Sequence, residues 1–284
     1  MLARLLVPVR GDGMSETVLA HAAALAHRHR AHIVVVHCRA RPEDLLPHNG
    51  PLPAFARQTI LAQAVELANQ EETALRAALH TMAEAMDLVE TETPDGARAS
   101  VQVVEEFGLM PHVIKHNGRL ADLIVVVRPD RDQNLGANAL QAALFQTGRP
   151  VLMCPPKMPV RPDFGAHVAV AWNGSLEAAR SVALTLDLVA VADKVTVLAV
   201  GRGQPHGATP EELLAYYRLR GITAEVEHFE ARHPGLALLE KTQEIGASLL
   251  VMGAYGQSHE RETLFGGNTQ SVVDKAEIPV VMAH

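Results

Sequence analysis

The sequence predicts an α/β protein made of two tandem domains, each a doubly wound parallel sheet of five strands in the order 3-2-1-4-5, related by an internal pseudo-twofold axis. Three observations lead to this prediction. The chain has 284 residues, which is enough for two domains of ordinary size. Hydrophobic residues make up 48% but aromatic residues only 4%, so Ala, Val and Leu must fill cores of the kind found where helices cover a parallel sheet. The same succession of elements also occurs twice along the chain.

The first copy begins with a short aliphatic run at residues 4–9, followed by a helical stretch over residues 15–30. Later runs of the same kind predict its remaining strands, the last of which starts at a proline: 32–37, 100–104, 122–127 and 150–153. Helical stretches separate these runs, so the half alternates strand and helix and ends on a strand. Right-handed crossover connections then make the sheet parallel and doubly wound.

The second copy repeats this plan with strands predicted at residues 167–172, 194–200, 223–227, 248–252 and 279–282. Its first helix is predicted to run to about residue 191. Ser175 is a natural N-cap for that helix, and Glu177 in the first turn favours the helix dipole. Apolar residues at helical spacing predict one buried face: Leu176, Ala179, Val182, Ala183 and Leu186.

The two copies differ mainly between their second and third strands. The first copy carries an additional stretch over residues 55–89 that is rich in Ala, Glu, Gln and Leu. It is either one long helix or a bent pair of helices. Apolar residues on or near one side of this stretch suit either the core or a partner surface: Leu61, Val65, Ala68 and Leu75.

A run of prolines separates the copies, at positions 155, 156, 159 and 162. Proline removes an amide donor and fixes φ, so neither a helix nor a sheet continues through this segment. The boundary is therefore predicted near residue 160. The expected domains are residues 1–155 and residues 160–284.

The composition excludes several classes of protein. A net charge of −7 with scattered Lys and Arg argues against a nucleic-acid partner. No apolar run approaches the ~20 residues of a membrane helix, and the N-terminal residues lack the apolar core and cleavage site of a signal peptide. Cys38 and Cys154 form no paired motif, which predicts reduced thiols near strand ends. We therefore expect a cytoplasmic protein without a membrane partner.

A glycine-rich loop after the fourth strand of the second copy is the strongest candidate site. Gly253 and Gly256 come first, and Gly266 and Gly267 open the last helix. In a doubly wound sheet this loop lies at the carboxyl ends of the strands, where ligands bind. Glycines let the backbone approach a phosphate, and the helix N-terminus supplies free N–H groups and a partial positive charge. Thr269 adds a hydroxyl donor. The sequence contains no Walker A motif, and Gly201 with Gly203 lacks the third glycine of a dinucleotide fingerprint.

The spacing Gly253-x2-Gly256-x9-Gly266 resembles the ATP loop of the universal stress protein family, whose pattern is G-x2-G-x9-G-[S/T]. Residues 171–175 and 278–282 are also similar to the second domain of tandem members, so the resemblance spans both halves. It implies a stress-response regulator that binds ATP or AMP in its second domain, with Mg²⁺ accompanying ATP. It further implies contacts across the ends of the first, second and fourth strands, from Ala171, Trp172, Asn173, Val200, Met252, Gly253, Gly256, Gly266, Gly267, Asn268 and Thr269.

The second half departs from the family pattern at two of these positions. Asn173 stands where the family has Asp, and Gly267 stands where it has Ser or Thr. The first change replaces a charged acceptor by a polar one, and the second removes a side-chain donor. Trp172 either stacks on a base or fills the pocket.

The first half departs further, so nucleotide is expected in the second half only. Arg10 stands at the acidic position, Arg128, Pro129 and Asp130 replace the first glycine region, and only Gly136 remains of the loop. Pro129 lacks an amide that would face a phosphate. Arg10 and Arg128 are either side-chain ligands for an anion or structural arginines at strand ends.

In the family, the final strands pair across a dimer. Here the resemblance implies that residues 151–153 and 280–282 pair within one chain, which makes an intramolecular pseudo-dimer; a further homodimer and the identity of any protein partner stay open. An exposed strand edge carries unpaired N–H and C=O groups, so such pairing removes a liability.

Two other functional classes stay open. One is a tandem scaffold that binds no ligand and acts through protein contacts. The other is a nucleotide-hydrolysing enzyme, for which no general base or Mg²⁺-binding carboxylate stands beside the loop. Co-purification of adenine nucleotide with the protein would distinguish the nucleotide-binding regulator from the ligand-free scaffold.

Several polar clusters are interpreted without chemistry. His112 and His116 have the i, i+4 spacing of metal ligands but no third ligand, which indicates a solvated or packed pair. Clustered histidines on a predicted surface helix need no metal either: His21, His27 and His29. Sequence neighbours cannot form a triad by adjacency alone, which indicates a polar loop at Ser258, His259 and Glu260.

Overall fold

The computed structural model describes residues 2–9, 15–39, 54–130, 136–201, 207–256 and 267–284. The first half contains β1 (Arg4–Val9), α1 (Ser15–His29), β2 (His32–Arg39), α2 (Ala54–Ala85), β3 (Val89–Glu90), β4 (Ser100–Phe107), α3 (Met110–Gly118), β5 (Leu123–Val127), α4 (Ala137–Gln146) and β6 (Val151–Cys154). The second half contains β7 (His167–Ala171), α5 (Leu176–Leu184), α6 (Leu186–Val189), β8 (Lys194–Val200), α7 (Pro210–Arg218), β9 (Glu225–Phe229), α8 (Pro234–Glu244), β10 (Leu249–Gly253), α9 (Gly267–Lys275) and β11 (Val280–Ala283).

All described strands belong to one eleven-stranded sheet, in the order β3-β4-β2-β1-β5-β6-β11-β10-β7-β8-β9. Within each half the neighbouring strands are parallel, and the order is the predicted 3-2-1-4-5. The α/β prediction is therefore confirmed. The first half has one more strand than predicted, because Val89 and Glu90 pair with Ser100 and Val101 at the outer edge.

The two halves meet at the antiparallel pair of β6 and β11. Val151 pairs with Met282, Leu152 with Val281, and Met153 with Val280. This confirms the predicted pairing within one chain. The register is centred on Leu152 and Val281, which occupy equivalent positions in the two halves, so the pseudo-twofold axis passes between them. All residues of this pair are fully buried.

Helices cover both faces of the sheet, and each face has one apolar core that runs through both halves. One core contains side chains of α1, α2, α5, α6 and α7. The other contains side chains of α3, α4, α8 and α9. Continuous cores on both faces bury the aliphatic strands on two sides, as parallel sheets require.

Helix α2 is one continuous helix of 32 residues, so the alternative of a bent pair of helices is wrong. Leu79 and Ala83 are buried in the core, and Leu75 and Met82 pack against it. The predicted apolar side is therefore confirmed near the C-terminal end, where α2 lies on the sheet. Toward its N-terminus, Leu61, Val65 and Ala68 are only half-buried.

The predicted buried face of the first helix in the second half is only partly correct, since Val182 is buried and Leu186 packs against the core but the other predicted residues are exposed. Ser175 is the N-cap as predicted and accepts a hydrogen bond from the Ala178 amide at 3.2 Å. Leu176, however, is 50% exposed, and Ala179 and Ala183 are exposed as well. The buried side is instead formed by Glu177, Ala178, Ser181 and Val182. The reason is the close approach of the first turn to Gly253, described below, which fixes the rotation of the helix.

The predicted single helix up to residue 191 is also wrong, because it is interrupted at Thr185. The Thr185 hydroxyl donates to the Ser181 carbonyl at 2.6 Å, and the short helix α6 follows. Such a bond to the preceding turn competes with regular helix geometry. The interruption lets Leu188 and Val189 reach the core.

Helix α1 lies at the junction of the halves, which corrects the interpretation of its histidines. His21 and His29 are buried, with 1% and 3% exposure, so they are not surface residues. The His21 ring packs edge-on against Phe164 from the proline-rich connection, with ring centroids 5.2 Å apart. Arg28 donates to the Gly165 carbonyl at 3.0 Å. The sequence does not reveal this burial because the covering residues come from far along the chain.

Other sequence-based interpretations concern exposed or isolated side chains. His112 and His116 lie on the exposed side of α3. Neither cysteine forms a disulfide bond, and both lie near strand ends, as predicted; burial raises the pKa of the Cys154 thiol. Within the described ranges no group of three or more His, Cys, Asp or Glu is arranged to hold a metal ion.

No helix that the structure describes is both long and apolar enough to cross a bilayer. The Ser258, His259 and Glu260 triplet lies outside the described residues.

Burial of His21 and His29 makes stability dependent on pH. Burial lowers the pKa of both imidazoles below the ordinary value of about 6.5. The unfolded chain therefore takes up protons first as the pH falls, and stability present above pH ~6.5 is lost below it. We expect the free energy of unfolding in urea to fall between pH 7.5 and pH 5.5. This fall should be smaller in His21→Leu than in His112→Leu, an exposed control. An equal pH dependence in both variants would contradict the assignment.

Candidate functional site

A cavity of about 790 Å³ opens at the carboxyl ends of the central strands in the second half. The N-terminal turns of α5, α8 and α9 border it, together with the ends of β7, β8 and β10. This is the edge at which doubly wound sheets bind ligands. Every described residue of the predicted site lines this one cavity: Ala171, Trp172, Asn173, Val200, Met252, Gly253, Gly256, Gly267, Asn268 and Thr269. Gly266 lies outside the described residues, as does Gly203.

The glycines of the loop have different structural roles. A Cβ atom on Gly253 would lie 2.5 Å from the Glu177 carbonyl carbon and 2.6 Å from the Ala178 nitrogen. This glycine therefore lets α5 approach the end of β10. Among the described residues, the atom nearest to a Cβ built at Gly256 is a Glu177 carboxylate oxygen at 3.2 Å, and none lies within 4 Å of a Cβ built at Gly267. Of the loop glycines that the structure describes, Gly256 and Gly267 thus leave space open toward the cavity.

The segment between Gly253 and Gly256 is fixed by a bond to the last helix. The Tyr255 amide donates to the Thr269 hydroxyl at 3.1 Å, and both residues are buried. Tyr255 has a φ of 55°, a backbone angle that residues other than glycine rarely adopt. The Thr269 oxygen is therefore an acceptor for the loop, and its own hydrogen stays available to a further acceptor.

The residues after β7 form the wall next to α5. Trp172 is 8% exposed, and its indole N–H donates to the Ala208 carbonyl at 2.8 Å. Its ring belongs to the core, so it fills the side of the cavity. The Asn173 side-chain oxygen accepts from the Ser175 amide at 3.1 Å, which orients the turn into α5. The Asn173 amide group thereby keeps its N–H donors for other contacts.

The structure adds residues that sequence reasoning did not place in the site. Glu177 lines the cavity with only 6% exposure, and its carboxylate is the group nearest to Gly256. The sequence assigns Glu177 only to the helix dipole, so the expectation that no carboxylate stands beside the loop is wrong. Pro234 and Leu238 of α8 also line the cavity. The available signal was topological, since the first turn of any helix after a central strand lies at this edge.

The corresponding place in the first half is built differently. Val127 pairs with Cys154 as Gly253 pairs with Ala283, so a valine stands at the position of the first glycine. Pro129 packs on Gly136 at the start of α4, with 3.3 Å from a built Cβ to the Pro129 Cα. The first half therefore has a valine and a proline where the second half has its glycine loop.

Arg128 has a structural role. Its guanidinium donates to the Asp274 carbonyl at 3.0 Å and the Ala276 carbonyl at 3.1 Å. These carbonyls lie at the C-terminal end of α9, where a cation stabilises the helix dipole. Of the two alternatives for Arg128, these contacts support the structural one. Arg10 lies outside the described residues.

Comparison with known proteins agrees with this architecture. Residues 165–284 match the model of the universal stress protein family. A universal stress protein from Archaeoglobus fulgidus DSM 4304 is similar with a TM-score of 0.70 at 16% identity, over 99% of this chain and 97% of that one. A protein described as a universal stress protein from Pseudomonas aeruginosa UCBPP-PA14 gives 0.56 at 17%, over 99% and 93%. A functionally unknown protein from Pseudomonas aeruginosa PAO1 gives 0.55 at 16%, over 99% and 92%. A comparison with curated proteins gives no match.

The fold and the cavity define a tandem, doubly wound α/β protein with a glycine loop at the carboxyl edge of its second half. Residues 165–284 match the universal stress protein family, and both halves share the fold of the solved universal stress proteins. The resemblance drawn from the glycine spacing is thereby confirmed. The family is one of stress-response proteins.

The different glycine roles predict different costs of substitution. Gly253→Ala should lower the free energy of unfolding by about 1–3 kcal/mol, because the added methyl group meets backbone atoms of α5. Gly267→Ala, with open space around it, should change stability by less than ~0.5 kcal/mol. Urea unfolding of the two variants measures the difference. Equal losses would show that α5 does not depend on the absence of a side chain at residue 253.

Proposed function

We propose that the protein is a stress-response regulator that binds an adenine nucleotide, ATP or AMP, in the cavity of its second half, within a two-domain chain of residues 1–155 and 160–284. The observation that carries the proposal is the convergence of all described residues of the predicted site on one cavity. Its volume of about 790 Å³ lies within the range of ~300–1,000 Å³ usual for small-molecule sites.

The phosphate end of the proposed site is the start of α9. The first N–H groups of a helix have no partner within it, and the dipole adds a partial positive charge there. Gly267 opens this helix, and no atom of the described part of the chain lies within 4 Å of a Cβ built there, which leaves room for a phosphate group beside the backbone. Asn268 and Thr269 follow in the same turn and line the cavity.

The adenosine end of the proposed site is mostly apolar. Three neighbouring strands each place an apolar residue at the cavity. It is the last residue of β7 and of β8 and the last but one of β10: Ala171, Val200 and Met252. Asn173 supplies donors beside this apolar wall. An apolar slot with a few polar groups is the usual construction of a site for a flat heterocycle.

Glu177 bears on the choice of nucleotide. A carboxylate beside the phosphate region opposes the charge of a triphosphate. Mg²⁺ prefers carboxylate and phosphate oxygens, so the Glu177 carboxylate and the phosphates would hold the ion that accompanies ATP. The ion would supply positive charge between the two. Because of Glu177, ATP binding by this protein would depend on Mg²⁺.

One observation favours the second candidate, a scaffold that acts through protein contacts. The rotation of α5 leaves Leu176, at the rim of the cavity, and Leu184 at 50% and 36% exposure. Exposed apolar side chains on one helix suit a protein partner. In this alternative the nearby cavity carries no ligand and α5 itself is the functional surface.

Substitution of Gly256 tests the site. Among the residues that the structure describes, a Cβ there meets only the flexible end of Glu177, so Gly256→Val should leave the fold intact while filling the space next to the loop. We expect ATP binding, measured by isothermal titration calorimetry with Mg²⁺, to be abolished. Ala183→Val, on the exposed side of α5, is the matched control and should bind as the unchanged protein does.

Unaltered ATP binding by Gly256→Val would show that nucleotide binds elsewhere. Mass spectrometry of the denatured, purified protein adds an independent measurement, since co-purified adenine nucleotide distinguishes the regulator from the ligand-free scaffold. Failure to detect binding by either method, in any variant, would favour the scaffold.

Restoring the family residues should strengthen binding. Asn173 and Gly267 each lack a polar contact that the family pattern has, and each such contact contributes about 0.5–1.5 kcal/mol. The double variant Asn173→Asp, Gly267→Ser should therefore bind ATP about tenfold to a hundredfold more tightly, if the effects add. A carboxylate oxygen introduced by Asn173→Asp can replace the amide oxygen that accepts from Ser175. We expect micromolar or weaker binding before the change. Nanomolar binding by the unchanged protein would contradict this account.

A further inference from the structure

We propose that Phe145, on α4 of the first half, is a positioning residue for the glycine loop of the second half and acts through Tyr255. The inference rests on the proposed function in so far as the loop binds the nucleotide. It assigns to the first half, whose own loop is degenerate, a role in ordering the site of the second half.

The loop conformation needs support from its surroundings. Tyr255 stands between the two loop glycines in the left-handed region, with a φ of 55°. A residue with a side chain persists there only where neighbouring groups hold it. Within the second half, the Thr269 hydroxyl accepts the Tyr255 amide hydrogen. A second support is the packing of the Tyr255 ring, and the whole residue is only 4% exposed.

That ring packs against the first half. The ring centroids of Tyr255 and Phe145 lie 5.2 Å apart with an interplanar angle of 48°. Phe145 also contacts the ring of His284 at 4.8 Å, and the His284 Nδ1–H donates to the Ala254 carbonyl at 3.0 Å. Phe145 therefore touches Tyr255 directly and Ala254 through one intermediary. Both residues lie between Gly253 and Gly256.

The pseudo-twofold axis explains why an α4 residue reaches this loop. Phe145 and Asp274 occupy equivalent positions, each six residues before its half's last strand, which starts at Val151 or Val280. Arg128 is equivalent to Ala254, since each directly follows a strand end paired in the same register. The contact of Arg128 with the Asp274 carbonyl is thus the symmetry counterpart of the contact between the glycine loop and Phe145.

The two counterparts have different chemistry. On the first-half side, hydrogen bonds from a guanidinium close the end of α9. On the second-half side, an aromatic pair bears on the loop itself. Phe145 is 44% exposed, so its contribution to the core is small. Its removal should loosen the loop without opening a cavity in the fold.

The experiment compares three full-length variants with the unchanged protein. Phe145→Ala removes the ring, and Phe145→Tyr keeps it as the conservative rescue. Phe107→Ala is the matched control, because Phe107 is 51% exposed in the same half and its ring contacts Arg39 instead. Two quantities are measured: hydrogen exchange of the Tyr255 amide in ligand-free protein, and the dissociation constant for ATP with Mg²⁺.

In Phe145→Ala we expect faster exchange of the Tyr255 amide and weaker ATP binding, each by about twofold to tenfold, the range that an aromatic pair contributes. Phe145→Tyr and Phe107→Ala should match the unchanged protein in both measurements. Exchange of the amides in β7 should stay constant, since the fold is intact.

The two measurements separate this proposal from the proposed function. If no variant binds ATP but Tyr255 exchange rises only in Phe145→Ala, the positioning role stands and nucleotide binding fails. If ATP binds with one affinity throughout, or the Tyr255 amide is unaffected, the positioning role is overturned. A uniform rise in exchange that includes β7 would also overturn it, because Phe145 would then be a general packing residue.

Discussion

The antiparallel pair of β6 and β11 is the interaction on which the rest of the architecture depends. Each half ends on a short, fully buried aliphatic strand that would otherwise be a free sheet edge. Such an edge exposes unpaired N–H and C=O groups and invites association with other chains. Pairing the two edges removes both liabilities at once and joins the halves into one sheet of eleven strands. It also places the end of each half's last helix beside the loop region of the other half.

The sequence predicts the sheet well because the strands are aliphatic runs whose burial does not depend on a particular neighbour. The failures concern elements whose environment is set by distant residues. The spacing of Leu176 and Ala179 fits a buried helix face, yet the contact of Gly253 with the first turn of α5 selects another rotation. His21 lies on a helix that the sequence indicates is at the surface, but the ring of Phe164 covers it. The two-residue strand β3 is too short to leave a pattern of its own.

The candidate site shows the same division. Glycine spacing located the loop and the edge of the sheet, because both follow from topology. Spacing does not separate a glycine required by packing from one that leaves room for a ligand, and the structure assigns Gly253 to the first kind. Glu177 went unrecognised for a related reason. Its direction follows from the rotation of α5, which the helical pattern predicted wrongly.

The asymmetry between the halves follows from what each does with equivalent positions. Where the second half has Gly253, the first has Val127, and Pro129 closes over Gly136. Arg128 then turns to α9 of the other half and holds its C-terminal end, while the N-terminal end of α9 borders the cavity. A rigid helix held at one end presents its other end in a defined place. The first-half residues at the positions of the glycine loop are therefore neighbours of those that support the cavity in the second half, because one symmetry axis relates both sets.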